Sequence, residues 1–305
     1  MDLITALPLA RFAVDRAAHL RGDADWLRKT VADPSTRAVL IHDGQVAVTD
    51  ELSLHLVNTE ALQQLEDLSQ RTYLLGLNDE HTFIGVQLDE RHESVMMWAS
   101  MRDIGATMSA RDVGLAVTAT ALAAWHTSHQ FCPACGHRTE VVEAGWSRRC
   151  RNDGQQHFPR TEPAVIVAVH DQADRLLLGR RTNWPQGWYS ILAGFVEAGE
   201  SCESAVVREV REEAGIAVDR ASLRYLGSQP WPFPASLMLA YRAVATTTEL
   251  IPDGDEIAEL RWVSASQLQS ECEAETIKLP SRSSIAWHVI EQWFAQPLPS
   301  HWSRG

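Results

Sequence analysis

The sequence lacks any apolar run long enough to span a membrane, and its first residues lack the features of a secretion signal. A transmembrane helix needs about 20 consecutive apolar residues. The chain begins Met1-Asp2 and carries Asp15 early, without the basic start and apolar stretch of a signal peptide. These absences argue against a membrane protein and lead us to expect a cytoplasmic one.

Positive charge is also scarce. The chain has 27 lysines and arginines against 40 aspartates and glutamates, which gives a formal net charge of −13. A surface that grips nucleic acid through its phosphates needs an excess of basic residues. The balance therefore argues against such a surface, although it does not exclude an enzyme that handles only an RNA end.

Cysteine is sparse and odd in number, with five residues in the whole chain. Cys132, Cys135 and Cys150 form a cluster in the sequence, whereas Cys202 and Cys272 are isolated and are interpreted as packing residues. This usage is typical of a reducing compartment with a metal knuckle, and it argues against a disulfide framework.

What remains is an ordinary globular composition, 45% hydrophobic and 22% charged over 305 residues. A chain of this length has room for two or three structural units. We predict a small β-rich domain with a linking helix at 1–126, a zinc-ribbon-like segment at 127–160 and a larger domain at 161–300.

The first predicted domain consists of short β-rich runs separated by turn residues. A short helix is expected around Trp26, and a capping box at Ser109-Ala-Arg-Asp112 predicts a helix to about His126. No catalytic constellation is evident, so a scaffold or dimerisation role is favoured. The predicted strands lie at 38–42, 45–48, 53–57, 72–77, 81–88 and 94–98.

The cysteine cluster has the spacing of a zinc site. In Cys132-Pro-Ala-Cys135, a tight turn points both sulfurs at one metal, and Cys150 follows where a second knuckle should begin. The fourth ligand stays open between Asp153 and His157, and His137 is a weaker candidate because it adjoins the first knuckle. A metal-free remnant is the alternative. Nucleic-acid binding by this segment is disfavoured, since its basic residues are few.

The larger domain alternates strands with helices, which predicts a mixed sheet between helices in the α+β class. A final amphipathic helix is expected at 284–295, and a hairpin turn at 171–174. The predicted strands lie at 163–169, 175–179, 189–193, 223–227, 236–245 and 259–263.

An acidic helix follows the strand at 189–193. Its start is marked by Glu200 and Ser201 and its end by Gly215. Glu209, Glu212 and Glu213 are spaced i, i+3 and i+4, so they share one helix face. The face is either a solvated acidic surface or a set of ligands for a divalent cation such as Mg²⁺.

Residues 194–216 match the pattern G-x5-E-x7-R-E-U-x-E-E-x-G-U at every defined position, where U is aliphatic. The stretch therefore resembles the Nudix box. This resemblance implies a Nudix α/β/α sandwich and Mg²⁺- or Mn²⁺-dependent cleavage of a nucleoside diphosphate linked to another group. The box itself does not identify the substrate.

A second motif narrows the substrate. The run from Ser228 to Ser236 carries three alternating prolines, which fix the backbone and make the segment a stiff loop. Trp231 and Phe233 on such a loop would form a stacking wall for a planar ring. The run S-Q-P-W-P-F-P-x-S is similar to the signature of the NADH pyrophosphatase branch of the Nudix family. The alternatives are a loop whose aromatic side chains only fill the core and a ligand for a proline-binding domain.

Membership of that branch would imply hydrolysis of NADH and NAD⁺ to nicotinamide mononucleotide and AMP, removal of NAD caps from RNA 5′ ends, and a homodimer. The resemblance further implies that Glu209, Glu213, Glu256 and the carbonyl of Ala193 are metal ligands, and that Glu212 is the adjacent catalytic carboxylate. Arg208 would align the carboxylates. The implied substrate contacts are Gln229, Pro230, Trp231, Pro232, Phe233, Pro234, Ala235, Ser236, Phe158, Ala286 and Arg102.

Two other functions stay open on the sequence. One is a Nudix hydrolase of ADP-ribose or another nucleoside diphosphate derivative, and the other is a zinc-ribbon RNA-binding protein with a silent Nudix fold. Whether Glu212 or Glu213 is the general base is also open.

Overall fold

A computed structural model describes residues 7–62, 68–92, 95 and 97–304. Its contacts divide the chain into two compact units, one with residues 162–230 and 236–305 and the other with residues 9–161 and 231–235. In the described part of the chain, no helix is both long and apolar enough to cross a membrane.

The unit with residues 9–161 contains a six-stranded mixed sheet in the order β4-β5-β1-β2-β6, with β3 paired to β1. Strands β1 and β5 run parallel, and the other pairs are antiparallel. The strands are β1 (Arg37–His42), β2 (Gln45–Val48), β3 (Val57–Asn58), β4 (Thr72–Leu77), β5 (Thr82–Gln87) and β6 (Met97–Ala99).

The helices of this unit are α1 (Ala24–Ala32), α2 (Leu68–Arg71), α3 (Met101–Ile104) and α4 (Ala110–Ser128). Helix α4 packs on the sheet, and Leu115, Ala119 and Leu122 of its predicted stripe are all buried in the core. The helices expected around Trp26 and after Ser109 are therefore confirmed.

Two predictions for this unit change, and a third falls partly outside the described residues. The strand expected at 53–57 is wrong, since Leu54 makes only an isolated bridge and β3 begins at Val57. Ser109 accepts a hydrogen bond from the Asp112 backbone N–H, but the Asp112 carboxylate accepts from the Leu54 N–H at 3.2 Å and does not close the box. Of the strand expected at 94–98, positions 94 and 96 lie outside the described residues.

The cysteine-rich segment forms a separate three-stranded antiparallel sheet, β7-β8-β9. Its strands are β7 (Thr139–Val142), β8 (Ser147–Cys150) and β9 (Gln156–His157). The two cysteine turns lie before β7 and after β8, where short loops bring them together.

The other unit contains a second six-stranded mixed sheet in the order β13-β14-β10-β11-β15, with β12 paired to β10. Its central pair, β10 and β14, is parallel over nine residues. The strands are β10 (Glu162–His170), β11 (Leu176–Arg181), β12 (Leu192–Phe195), β13 (Arg224–Trp231), β14 (Ser236–Val244) and β15 (Ile257–Val263).

Helices α5 (Cys202–Ala214), α6 (Ala265–Glu273) and α7 (Ile285–Phe294) complete this unit. Strand β10 is buried on both faces: Val165, Val167 and Val169 pack in one cluster with helix α5, and the alternate residues face the other side. Helix α7 also packs on β10 and β14. A mixed sheet between helices was predicted, and this fold is confirmed.

The sequence reading missed a relation between the two sheets. Strand for strand, β1–β6 have the order of β10–β15, and the central pair is parallel in both sheets. The unit with residues 9–161 is thus built on the topology of the unit that carries the acidic helix.

Candidate active site

Helix α5 brings the acidic residues of the box to the sheet. Ser201 caps its start by accepting a hydrogen bond from the Ser204 N–H, and Gly215 ends it at a φ of 70°, in the left-handed region that favours glycine. Both helix ends were predicted from these residues. Glu213 points into the protein with 4% of its surface exposed, whereas the Glu212 side chain is 59% exposed.

Arg208 binds the carboxylates around it. Its guanidinium donates to both oxygens of Glu200 at 2.8 and 3.0 Å, to Glu209 at 2.8 Å and to Glu212 at 3.0 Å. The fifth contact goes to the carbonyl oxygen of Phe195 at 2.9 Å. The hydrogen bonds to Glu200 raise the pKa of Arg208 and lower the pKa of Glu200, so both groups stay charged.

Glu209 lies against the backbone of the preceding strand. A Cβ atom on Gly194 would fall 2.0 Å from the Glu209 carboxyl carbon, so this glycine is what allows the close approach. Burial raises the pKa of Glu209, and hydrogen bonding to Arg208 opposes that rise. Glu209 is thus held as a partly buried carboxylate at the end of β12.

Among the glutamates of this helix, Glu213 has the environment that best suits a ligand of a cation. Its Oε2 atom is buried and has no hydrogen-bond partner, which is costly for a polar atom unless something else binds it. Burial, followed by repulsion from Glu209, raises the pKa of Glu213 to about 8. A divalent cation would satisfy the buried oxygen and reverse this rise in pKa.

Glu256 reaches the same cluster from a distant part of the chain. It lies in a turn closed by Asp253, whose Oδ1 accepts hydrogen bonds from three successive backbone N–H groups at 255–257. Arg181 Nη2 lies 3.9 Å from Glu256 Oε2 and donates to the Ala193 carbonyl oxygen at 3.2 Å, beside the Gly194 backbone against which Glu209 packs. The Glu256 side chain is 65% exposed.

Arg181 is a site residue that the sequence reading missed. Its Nη2 atom donates to the Ala193 carbonyl oxygen at 3.2 Å and lies 3.9 Å from Glu256 Oε2. A pair of arginines at the end of a strand, in a chain with so few basic residues, was the available signal. It was not decisive, because Arg180 beside it contacts Glu259 and the carbonyl of Trp184 instead.

The predicted zinc ligands lie together. In the described residues, the group whose potential ligand atoms all lie within 4.8 Å of one another is Cys132, Cys135, Cys150 and Asp153. The Cys135 and Cys150 sulfurs are 3.5 Å apart, close to the roughly 3.8 Å expected between thiolates on a tetrahedral zinc. His157, the other candidate, is outside this group.

The proline-rich run forms the end of strand β13 and the turn that leads into β14. Residues 228–231 belong to β13, so the prediction of one loop from Ser228 to Ser236 is wrong; only residues 232–235 form the turn. Pro230 is tolerated because β13 lies at the edge of its sheet. Gln229 is fully buried and donates to the Ser283 carbonyl oxygen at 2.9 Å.

Two aromatic rings of this run pack with a cation. The rings of Trp231 and Phe233 meet edge to face with centroids 5.0 Å apart. The Arg102 guanidinium lies 4.5 Å from the Phe233 centroid and 5.4 Å from that of Trp231. The structure therefore groups three of the implied substrate contacts into one cluster, and its two rings are half-buried against the core of the unit with residues 9–161.

The remaining implied contacts differ in exposure. Phe158 is 59% exposed, Pro234 is exposed, and Pro232 is buried. Ala286 is buried at the start of α7, where its N–H donates to the capping Ser284. Ala235 and Ser236 are half-buried.

A mixed sheet that carries this acidic helix is the architecture of a Nudix hydrolase domain, and a family model of the NUDIX domain matches residues 160–288. A model of the NADH pyrophosphatase zinc ribbon domain matches residues 127–158, and a model of an NADH pyrophosphatase-like rudimentary NUDIX domain matches residues 35–125. The last match accounts for the repeated sheet topology.

Similar proteins carry consistent names. An NAD-capped RNA hydrolase of Mycobacterium bovis is 43% identical over 204 residues, which cover 64% of this chain and 64% of that protein. An NAD-capped RNA hydrolase of Macaca fascicularis is 30% identical over 337 residues, which cover 92% of this chain and 71% of that protein. A solved Nudix hydrolase from Nitrosomonas europaea aligns over 55% of this chain and 94% of its own with a TM-score of 0.42 at 20% identity.

The chain belongs to the Nudix hydrolase superfamily, in its NADH pyrophosphatase branch. The resemblance drawn from the box and the proline-rich run is thereby confirmed. The aligned part spans just under two thirds of the length of the mycobacterial relative.

Proposed function

We propose that the protein hydrolyses the pyrophosphate of NADH and NAD⁺ to nicotinamide mononucleotide and AMP, and that it removes NAD caps from RNA 5′ ends. The observation that carries this proposal is the buried, partnerless oxygen of Glu213 on the helix face that also carries Glu209. The names of the relatives support the same chemistry.

In this proposal Glu209, Glu213, Glu256 and the Ala193 carbonyl hold Mg²⁺ or Mn²⁺. The bound ions would offset charge on the pyrophosphate and lower the pKa of an attacking water. Arg208 holds Glu209 and Glu212 in place through its hydrogen bonds. We assign Glu212 as the general base, because its exposed carboxylate faces solvent whereas Glu213 is buried. The water oxygen bonds to one phosphorus, the bridging P–O bond breaks, and the water proton passes to Glu212.

Substrate recognition is assigned to the proline-rich run and its neighbours. Trp231, Phe233 and Arg102 would present a cationic and aromatic surface to a planar ring and its phosphates. Phe158 would add a second exposed ring. Pro230, Pro232 and Pro234 keep the run stiff, and the remaining contacts are Gln229, Ala235, Ser236 and Ala286.

The decisive experiment is product analysis. The purified protein is incubated with NADH, NAD-capped RNA and ADP-ribose, with Mg²⁺ and then Mn²⁺, and products are separated by chromatography. The proposal expects nicotinamide mononucleotide from the first two substrates, in preference to cleavage of ADP-ribose. Faster cleavage of ADP-ribose would point to a nucleotide-sugar hydrolase, and tight binding of uncapped RNA without cleavage would point to an RNA-binding protein.

We expect Trp231→Ala to reduce NADH hydrolysis by roughly 10- to 100-fold, the equivalent of losing one stacked base. ADP-ribose hydrolysis should fall much less, because it lacks the nicotinamide ring. Steady-state kinetics on both substrates provide the measurement. Tyr225→Ala, an exposed aromatic on the same strand, is the matched control. Equal losses on both substrates would remove Trp231 as a ring-binding residue.

We also propose a structural zinc held by Cys132, Cys135, Cys150 and Asp153. We expect Asp153→Ala to lose most of the zinc found by elemental analysis after dialysis against a weak chelator, since three thiolates alone leave a tetrahedral site open. His157→Ala should retain one zinc per chain. The reverse result would make His157 the fourth ligand.

The remaining proposals concern the domain boundaries, the oligomeric state and the compartment. We propose a division at 1–126, 127–160 and 161–300, and a homodimer, as the branch implies. None of the five cysteines forms a disulfide, which is consistent with a reducing compartment. We propose that this compartment is the cytoplasm.

A further inference from the structure

Arg181 contacts two oxygens that the proposed metal centre needs. Its Nη2 atom donates to the Ala193 carbonyl at 3.2 Å and lies 3.9 Å from Glu256 Oε2. Both oxygens are assigned above as ligands of a divalent cation. The guanidinium thus shares acceptors with the activating ion.

The backbone directs Arg181 to this position. Strand β11 pairs with β15 in regular register until Arg180 opposite Glu259, and a bulge between Arg180 and Arg181 then places Arg181 opposite Ile257. Arg180 contacts Glu259 and the Trp184 carbonyl, away from these oxygens. Successive side chains of a strand face opposite sides of the sheet, so only one of the two adjacent arginines faces the acidic cluster.

Two cations cannot share these oxygens without repulsion. A divalent ion bound there would lie within several ångströms of the guanidinium, and like charges at that distance repel strongly where water is partly excluded. The Arg181 side chain is 41% exposed, so it can swing into solvent without disturbing the core.

We propose that Arg181 is a built-in competitor of the activating divalent ion, which must displace its guanidinium from Ala193 and Glu256, so that Arg181 sets the metal concentration at which the centre fills. This inference rests on the proposed function, because it takes the same residues as metal ligands. It assigns Arg181 a positioning role and no part in bond cleavage.

The test measures Mn²⁺ binding without substrate, by electron paramagnetic resonance of the free ion. Mn²⁺ binding that is lost in Glu213→Gln is assigned to the proposed metal centre. This comparison excludes ions that are bound by the cysteine cluster. We expect Arg181→Gln to lower the Mn²⁺ dissociation constant about tenfold, as removal of one nearby positive charge would do. Arg180→Gln removes the same charge one residue away and should change it less than twofold. Arg181→Lys keeps the charge and should stay within about threefold of the wild type.

The outcomes separate this inference from the proposed function. If the wild type binds Mn²⁺ at this centre and Arg181→Gln binds it equally or more weakly, the competitor role is wrong while the metal centre stands. If Arg180→Gln tightens binding as much as Arg181→Gln, the effect is general electrostatics and the specific role is wrong. If the wild type shows no binding that depends on Glu213, the proposed metal centre fails, and this inference fails with it.

Discussion

Replacing Glu213 with glutamine is expected to lower turnover of NADH by about a thousandfold while the fold stays intact, because the amide cannot supply an anionic ligand to the divalent ion. The substitution keeps shape and volume, so circular dichroism should not change. Turnover at saturating Mg²⁺ and Mn²⁺ provides the measurement. A folded Glu213→Gln protein with near-normal turnover would contradict the assignment of Glu213 as a metal ligand.

At high pH, and with a chelator present to remove metal ions, the Glu213→Gln protein should be more stable to unfolding than the wild type. The pKa of Glu213 is about 8 in the folded protein against an ordinary 4.5, since burial disfavours the charged form. Below pH 4.5 the group is protonated in both states. Between these values the unfolded state loses its proton first, so wild-type stability declines as pH rises to about 8.

Glutamine does not titrate, so the difference in melting temperature should be small at pH 5 and should grow to the equivalent of about 1–2 kcal/mol at pH 9. Glu212→Gln is the matched control, because it makes the same substitution on the same helix at an exposed side chain. Parallel pH curves for the wild type and Glu213→Gln would show that Glu213 is already ionised in the folded protein.

The parts of the site that were predictable are those fixed by local sequence. Ser201 and Gly215 determine where helix α5 begins and ends through hydrogen bonds within a few residues. The shared face of the glutamates follows from helix geometry alone. Helix α6 was also readable, since Ser264 and Gln267 form a reciprocal capping box, but it was not predicted.

The parts that were missed depend on pairing between distant segments. Arg181 lies near Glu256 because β11 pairs with β15, which begins directly after Glu256. Three prolines suggested a loop through Ser228–Trp231, yet these residues belong to an edge strand, and an edge strand tolerates proline. The repeated topology of the first sheet was hidden for a related reason: strand order is set by long-range contacts, and no box motif marks that sheet.

Arg208 allows a test of how the carboxylates are held, with Arg211 as a control on the same helix. Arg208 hydrogen-bonds Glu200, Glu209 and Glu212, whereas Arg211 is exposed. Removing a partly buried arginine leaves its carboxylates mutually repelling and incompletely paired. We therefore expect Arg208→Ala to lose about 100-fold in kcat/KM for NADH and roughly 2 kcal/mol of unfolding free energy.

Arg211→Ala should change neither quantity appreciably, since a surface charge of this kind contributes little. Enzyme kinetics and denaturant unfolding of the two variants provide the measurements. Added Mg²⁺ should restore part of the stability lost in Arg208→Ala, because a divalent cation screens the same carboxylates. Stability that is lost equally with and without Mg²⁺ would mean that Arg208 acts through its bond to the Phe195 carbonyl, and not through the charges of the acidic cluster.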